Sequence, residues 1–489
     1  RKANVLVKQF NQWFEIGRYV TPYGIGCGWT YDVTDYRSIL KGDVELKSYI
    51  DTWVQPGWLV NIEFDFISGT PLTPNTSLRN IWNYDYVVYG DSTNPVNIST
   101  VEQYVPEDVQ YIKFRITTTG HGQGNTENAA EFSYKNHEII INNENPIIHD
   151  FWRDDCEYND CSPQFGTWQY DRAGFCPGDK VTGQDFNLSN FYIPGEIISM
   201  DYVLEDYFNE CSPNNPNCVD GQTCSSCDYN NNGHTEPFYF IGSHLIIYSE
   251  KYHSNADNYI YLIEQDSLTN EIQIYFENNK PVYGIQLNID VSSLVGDNLN
   301  DIEFYSSSGG RAEEYDWTFS INNNGLLIGL SQELATPIPP GEGLLTAIEW
   351  NGNQLNNLSG ELNISNVEIS GYFGSILSSE IGESVFYQSN LQLNEKDDLL
   401  LRRFLLKDPY PNPFNPFLNI EFEMLKPDNI SLSIYNLKGN LISKLIENKN
   451  TFAGIYNYKW DSKYNSSGVY FVIIEGNNNR QIKKIILLK

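Results

Sequence analysis

No apolar run in the 489-residue chain reaches the roughly 18 residues a membrane-spanning helix requires, so a helical membrane span is not expected. Basic residues are few: 31 Lys and Arg face 63 Asp and Glu, for a net charge of -32. Nucleic-acid binding rests on neutralising phosphates with Lys and Arg, so a nucleic-acid partner is excluded, and anionic membrane surfaces are disfavoured for the same reason. Histidine is scarce as well. The six are His121, His137, His149, His234, His244 and His253, with no His-x-His or His-Glu-x-x-His spacing. No metal and no cofactor are therefore expected in the chemistry. A 3.6-residue apolar period is missing from every long stretch. An initiator Met is missing too, since the chain opens at Arg1. The expectation is that a leader, and further upstream sequence, has been removed.

What is present is strand-forming. Hydrophobic residues make up 40% and aromatics 14%, enough to fill several cores. Ile62, Phe64 and Phe66 alternate with Glu63 and Asp65, Ile272 and Ile274 with Glu271 and Gln273, and Leu432 and Ile434 with Ser431 and Ser433. Each reads as a half-buried strand. The expected class is all-β, built of sandwiches. Five segments follow from composition: 1–71, ending at Gly69-Thr70-Pro71; 72–250, holding most of the cysteines; 258–375, without cysteine; 376–402, a linker; and 403–489.

Eight cysteines lie in loops rich in Asn, Gly and Pro: Cys27, Cys156, Cys161, Cys176, Cys211, Cys218, Cys224 and Cys227. An even count in that setting favours disulfides and an oxidising compartment, with the pairing left open. Cys211, Cys218, Cys224 and Cys227 also have a zinc reading, and disulfides are the preferred alternative. Asp228 to Gly233 imitates the start of a calcium loop, but Tyr239 stands at the closing acidic position, which argues against calcium.

In the last segment, Tyr410-Pro411-Asn412-Pro413-Phe414-Asn415-Pro416 is a rigid lead-in that cannot donate a full ladder. Leu432 to Asn436, a turn at Lys438-Gly439, Gly454-Ile455-Tyr456, Trp460-Asp461, Ser467 to Tyr470 and a basic-apolar end at Lys483 to Lys489 follow. This pattern resembles the type A C-terminal sorting domain of type IX secretion substrates. The resemblance implies the type IX machinery as a partner and a secreted or cell-surface location in a Gram-negative bacterium. Within 258–375, Pro281 to Asp290, Gly309 to Ala312, Leu326 to Gly329 and Ile338 to Gly341 resemble cohesin-like sandwiches, which implies spacing, docking or carbohydrate contact.

The first half carries Glu15 to Tyr23, Tyr31 to Tyr36, Val44 to Trp53, Thr119 to Gly122, Ala130-Glu131-Phe132, Gly166 to Gly178 and Phe238 to Ile241. In this order the set resembles the peptide-N-glycosidase F family, the densest motif being Asp171-Arg172-Ala173-Gly174-Phe175-Cys176-Pro177-Gly178. The resemblance implies two adjacent jelly-roll sandwiches, the first incomplete here, with an acidic cleft between them. It also implies metal-free hydrolysis of the amide joining N-acetylglucosamine to asparagine, on N-linked glycoproteins or glycopeptides. Such chemistry needs carboxylates to activate water and protonate the leaving nitrogen, and a cation to orient them.

Carried over by the resemblance, Glu131 and Asp51 are the catalytic acids, Asp51 standing where the family has Glu. Arg172, Trp53 and Arg1 bind substrate, and His121 and Phe132 occupy positions of family tryptophans. Cys156 and Cys176 correspond to a family disulfide, while a second family cysteine pair is replaced by Ala129 and Ser133. The principal catalytic aspartate of the family would precede Arg1, so the chain is expected to be a fragment. Plainer readings stand beside these: Glu131 as a loop-fixing ion pair, Asp51 as a surface acid, Arg172 as a turn residue, Trp53 as core and His121 as a solvated loop residue. The rival function is a non-catalytic glycan binder or adhesin. The catalytic reading requires 51, 131 and 172 to share one groove.

Overall fold

The computed structural model describes residues 2–50, 57–71, 73, 75–218, 236–263, 265, 269–297, 299–331, 336–355, 357–389, 403–476 and 480–489. The chain divides into two compact units, 1–390 and 391–489. Both are nearly all β, as the alternation requires.

The first unit opens with a hairpin. Lys2–Gln9 and Gln12–Val20 are joined at Phe10 and Asn11, both at positive φ (48° and 61°), the backbone a two-residue hairpin turn demands. With Glu45–Ile50 and Lys180–Val181 they form a four-stranded antiparallel sheet. Among the described residues, its apolar face does not meet a second sheet of its own. Val7, Phe14 and Ile16 pack on Leu78, Ile246 and Tyr248 of the neighbouring sandwich. Phe14 is fully buried there, a contribution of roughly 1.5–3 kcal/mol.

That sandwich pairs the sheet Gln184–Asn187, Val109–His121, Phe238–Ser249, Asn75–Val88 with the sheet Val101–Tyr104, Ile197–Leu204, His137–Ile141, Ile147–His149. Trp82, Phe114, Met200, Tyr202 and Tyr239 fill the space between. Its central strand, Phe238–Ser249, is therefore covered on both faces. This explains why nearly all of it is buried instead of alternating.

Residues 258–389 form a third sandwich of two five-stranded sheets, with Ile274, Phe276, Leu287 and Trp350 in its core. Two expectations change here. Ser379–Ile381 and Val385–Gln388, inside the segment read as a linker, are strands of this sandwich, pairing with Asn258–Ile260 and Ser359–Leu362. Ile62 to Phe66 is not a strand: Phe64 reaches the first core, whereas Phe66 is 76% exposed and stacks on Phe64. Alternation sets the two faces of a segment, but a strand also needs a partner, and none is paired to it among the described residues.

The second unit sets Phe404–Leu406, Phe417–Met424 and Gly454–Asp461 against Leu441–Thr451, Asp428–Asn436, Gly468–Glu475 and Arg480–Leu487. Residues 410–416 form no strand, and Phe414 plugs the core at 2% exposure. The turn falls at Gly439 (φ +78°).

Candidate functional site

The strand Val109–His121 delivers its chain end to the rim of the sandwich beside the first sheet. Beyond it, the glycine turn folds Glu131 back on the strand end, so that the Gly122 N–H donates to Glu131 Oε2 at 3.2 Å. Gly120 must lack a side chain, since a Cβ would lie 2.2 Å from the Ala130 carbonyl oxygen. Arg172, wholly buried, donates through Nε to Glu131 Oε1 at 3.1 Å. Its Nη2 donates to the Thr167 carbonyl at 2.7 Å and to Thr167 Oγ1 at 2.9 Å. The Ala173 N–H donates to the Glu131 carbonyl at 3.0 Å, tying the two segments along the backbone as well.

The guanidinium lies 4.7 Å from the Phe132 ring and 5.6 Å from the Phe175 ring. His121 stacks on Phe175 at 4.9 Å and on Phe238 at 5.4 Å, with Phe240 edge-on at 5.0 Å. It is thus the centre of an aromatic cluster and not a solvated loop residue. Burial, reinforced by Arg18, Lys2 and Arg172, holds its pKa well below the ordinary histidine value, so the ring is neutral at pH 7. Burial pushes the Glu131 carboxyl above the usual carboxylate range, while Arg172 and the Gly122 N–H oppose the rise. With 16% of its side chain exposed, Glu131 is a reachable acid biased towards protonation.

The first sheet meets this cluster. Lys2 Nζ lies 3.9 Å from the Phe240 ring, and Val20 packs with Phe175 and Val181. Arg18 donates to the carbonyls of Thr117 and Phe240 at 3.2 and 3.1 Å, and to Thr119 Oγ1 at 3.4 Å. Thr119 Oγ1 is also bonded to His121 Nε2 at 3.0 Å. Glu15 holds Arg18 through two bonds of 2.8 and 2.6 Å. Tyr23 adds a half-buried phenol whose pKa is raised by desolvation and which senses both Arg172 and Glu131.

Asp51, Trp53 and Arg1 lie outside the described residues. The strands they adjoin end together, with Ile50 opposite Ala3 and Ala3 opposite Tyr19. Of the residues expected to act together, Glu131, Arg172, His121 and Phe132 are gathered at one rim.

Glu15, Arg18, Thr119, Tyr23 and Lys2 carried no assigned role in the sequence. Glu15 and Arg18 sit three apart in a strand and should face opposite ways. A bulge between Gly17 and Glu15, opposite Val5 and Leu6, brings them to one side.

Cys156 and Cys176 are bonded, as the family resemblance implied, and Cys27 bonds Cys161, clamping the loop after the first sheet to the Arg172 segment. Cys211 and Cys218 are also disulfide-bonded, which removes the zinc reading for them. Cys224 and Cys227, with the calcium-like loop, lie outside the described residues.

Residues 3–66 match the family described as peptide-N-glycosidase F, N terminal, and residues 89–222 match peptide-N-glycosidase F, C terminal. Both matches fall in the first half of the chain. Residues 409–488 match the secretion system C-terminal sorting domain, which fits a secreted or cell-surface protein. The peptide-N(4)-(N-acetyl-β-D-glucosaminyl)asparagine amidase F of Elizabethkingia miricola is 32% identical over 225 residues, covering 43% of this chain and 63% of that protein. The chain thus spans less than two thirds of that relative's length. A crystal structure of such an amidase is 28% identical, covering 51% of this chain and 79% of that one, with a TM-score of 0.42. The glycosidase F structure from Flavobacterium meningosepticum has the same identity and TM-score, with 52% and 79% covered.

Proposed function

We propose that the chain is a secreted amidase that hydrolyses the bond between asparagine and the innermost N-acetylglucosamine of N-linked glycoproteins. The single observation that carries this reading is the Glu131–Arg172 pair, a reachable, protonation-biased carboxyl held by a buried guanidinium inside an aromatic rim. The 32% identity to a protein named for this activity supports it.

In this reading, water oxygen attacks the side-chain amide carbon and the C–N bond breaks. The proton passes to the departing nitrogen, leaving a glycosylamine and an aspartate. Glu131 and Asp51 share the proton transfers. Arg172 and Arg1 orient the carboxyls and hold the reacting amide, and Trp53, His121 and Phe132 border the sugar. Type IX export delivers the enzyme to its glycoprotein substrates. The 258–375 region serves as a cohesin-like accessory module.

The test is incubation with a denatured N-glycoprotein. Free glycan and an Asn-to-Asp gain of about one dalton are expected, abolished by Glu131→Gln, which keeps shape but removes the proton site. Intact glycoprotein bound without release would instead establish the glycan binder.

A further inference from the structure

Two consecutive residues of the turn that presents Glu131 lie in the left-handed region without being glycine: Glu127 at φ 61° and Asn128 at φ 54°. An L side chain pays for that conformation and keeps it only where its surroundings impose it. Within the turn, the Gly124 N–H donates to Asn128 Oδ1 at 3.0 Å, Asn125 Nδ2 donates to the Ala129 carbonyl, and the Phe132 N–H donates to the Asn128 carbonyl at 3.0 Å. No cysteine lies between His121 and His137, so no cross-link closes the turn on itself.

The turn is gripped from behind by a distant segment, residues 205–212. This segment leads into the stretch Cys211 to Cys227, for which the sequence suggests disulfides but no function. The Tyr207 hydroxyl donates to the Thr126 carbonyl at 2.7 Å and lies 3.3 Å from Asn125 Oδ1. Asn209, 1% exposed, accepts from the Thr126 N–H at 3.4 Å, and the Glu210 N–H donates to Thr126 Oγ1 at 2.8 Å. All three polar atoms of Thr126 are therefore engaged by this one segment. Lys135 adds an ionic tie, 3.1 Å from Glu127 and 3.2 Å from Glu205.

The segment is itself anchored to a third place. Tyr207 stacks on Tyr89 at 4.7 Å and 20°, and the Asn209 N–H donates to the Gly90 carbonyl at 2.9 Å. Gly90 (φ +83°) leaves room for both, since a Cβ there would lie 2.4 Å from the Tyr207 ring and 2.9 Å from the Asn209 nitrogen. The Cys211 N–H donates to Asn209 Oδ1 at 3.1 Å, which orients the amide, and Cys211 is wholly buried and disulfide-bonded.

The grip falls on Thr126, five positions before Glu131. The Glu131 carboxyl is held by Gly122, which opens the turn, and by Arg172, which arrives from another part of the chain. A turn that relaxed would move Glu131 relative to both. We propose that Tyr207 and Asn209 are positioning residues for Glu131. They hold Thr126, and through it the turn, in the geometry that sets the carboxyl against Arg172 and the Gly122 N–H. The catalytic consequence rests on the amidase reading above; the geometry does not. Displacing the carboxyl while leaving the sugar-bordering residues in place raises the barrier more than it weakens binding.

The experiment measures kcat and KM for an N-glycopeptide with the intact chain and its variants, well below the melting temperature of each. Asn209→Ala should lower kcat by roughly 10- to 100-fold with KM changed by less than about twofold. Tyr207→Phe, which removes only a hydroxyl, should lower kcat by a smaller factor. Thr126→Val, which keeps shape but loses the oxygen, should also lower kcat, whereas Thr126→Ser should stay near wild type. Hydrogen exchange of the Gly122 N–H, followed in the same variants without substrate, should quicken in Asn209→Ala and Tyr207→Phe. A kcat that is unchanged in both of these variants, or that falls only as far as the folded fraction does, overturns the proposal. If Asn209→Ala does not fold, the near-isosteric Tyr207→Phe and Thr126→Val variants decide by the same criteria. A wild-type chain that releases no glycan defeats the amidase reading. Quicker Gly122 exchange in the variants then still supports the positioning of Glu131, and unchanged exchange overturns it.

Discussion

Two buried ionic clusters in the first unit are built to opposite ends. At the aromatic rim, Glu131 has one cationic partner and one backbone N–H, retains partial exposure, and has a raised pKa. At the junction with the third sandwich, Arg79, Glu277, His253 and Asp108 are chained at 3.3, 2.9 and 2.7 Å. Glu277 there is bonded by a guanidinium and an imidazole, and His253 is bracketed by two acids, which raise its pKa against the effect of burial. A carboxyl left partly uncompensated can exchange a proton with a substrate, whereas a compensated one can only hold two domains together.

The largest expected effect separates the clusters directly. Glu131→Gln should lower glycan release by about 10⁴-fold, equivalent to about 5.5 kcal/mol in the barrier, and should also lower the melting temperature, because wholly buried Arg172 loses its carboxylate. Release assays with a melting curve check both halves. The converse change, Arg79→Ala, leaves Glu277 short of its cation and should cost about 3–5 kcal/mol, measured by denaturant unfolding. Activity per folded molecule should persist in that variant.

Replacing Cys156 and Cys176 by serine opens a bridge spanning 20 residues. That should cost about 3 kcal/mol, and proteolysis should find the Arg172 loop before it finds the junction.

The smallest effect is a divergence in pH dependence. Burial lowers His149 from 6.5 to about 4, so the unfolded chain binds a proton that the folded chain refuses between those values. Stability from this group is complete above pH 6.5 and declines as pH falls towards 4, by up to about 3 kcal/mol. His253 has a raised folded pKa, so its contribution is complete below its unfolded value and is lost as pH rises through the folded one. Hydrogen exchange should therefore show the sandwich holding His149 loosening in acid and the module junction loosening in alkali. Parallel behaviour of the two regions would break the contrast drawn between them.

Much of the site was legible because its residues sit in short motifs. Ala130-Glu131-Phe132 and Asp171-Arg172-Ala173 could be matched one position at a time, and Cys156 with Cys176 followed the same resemblance. Arg18 was not legible, because its partners, the carbonyls of Thr117 and Phe240, are backbone atoms about 100 and 220 positions away and carry no side-chain signature. Glu15 was hidden by a bulge that reverses the facing a period of two predicts. The strand read at Ile62 to Phe66 failed for a related reason, since alternation marks faces but supplies no neighbour.

By itself, then, the sequence determined the β class, the positions of most apolar faces and the sorting tail. Those properties are local, set by the period of the pleat and by residues close along the chain. Tertiary structure alone decided that the first sheet borrows the neighbouring sandwich for its core, that Cys27 bonds Cys161, and that residues 379–388 complete the third sandwich. Each of these depends on which distant surfaces meet, and strand pairing and burial are settled by the whole packed chain, not by any one segment of it.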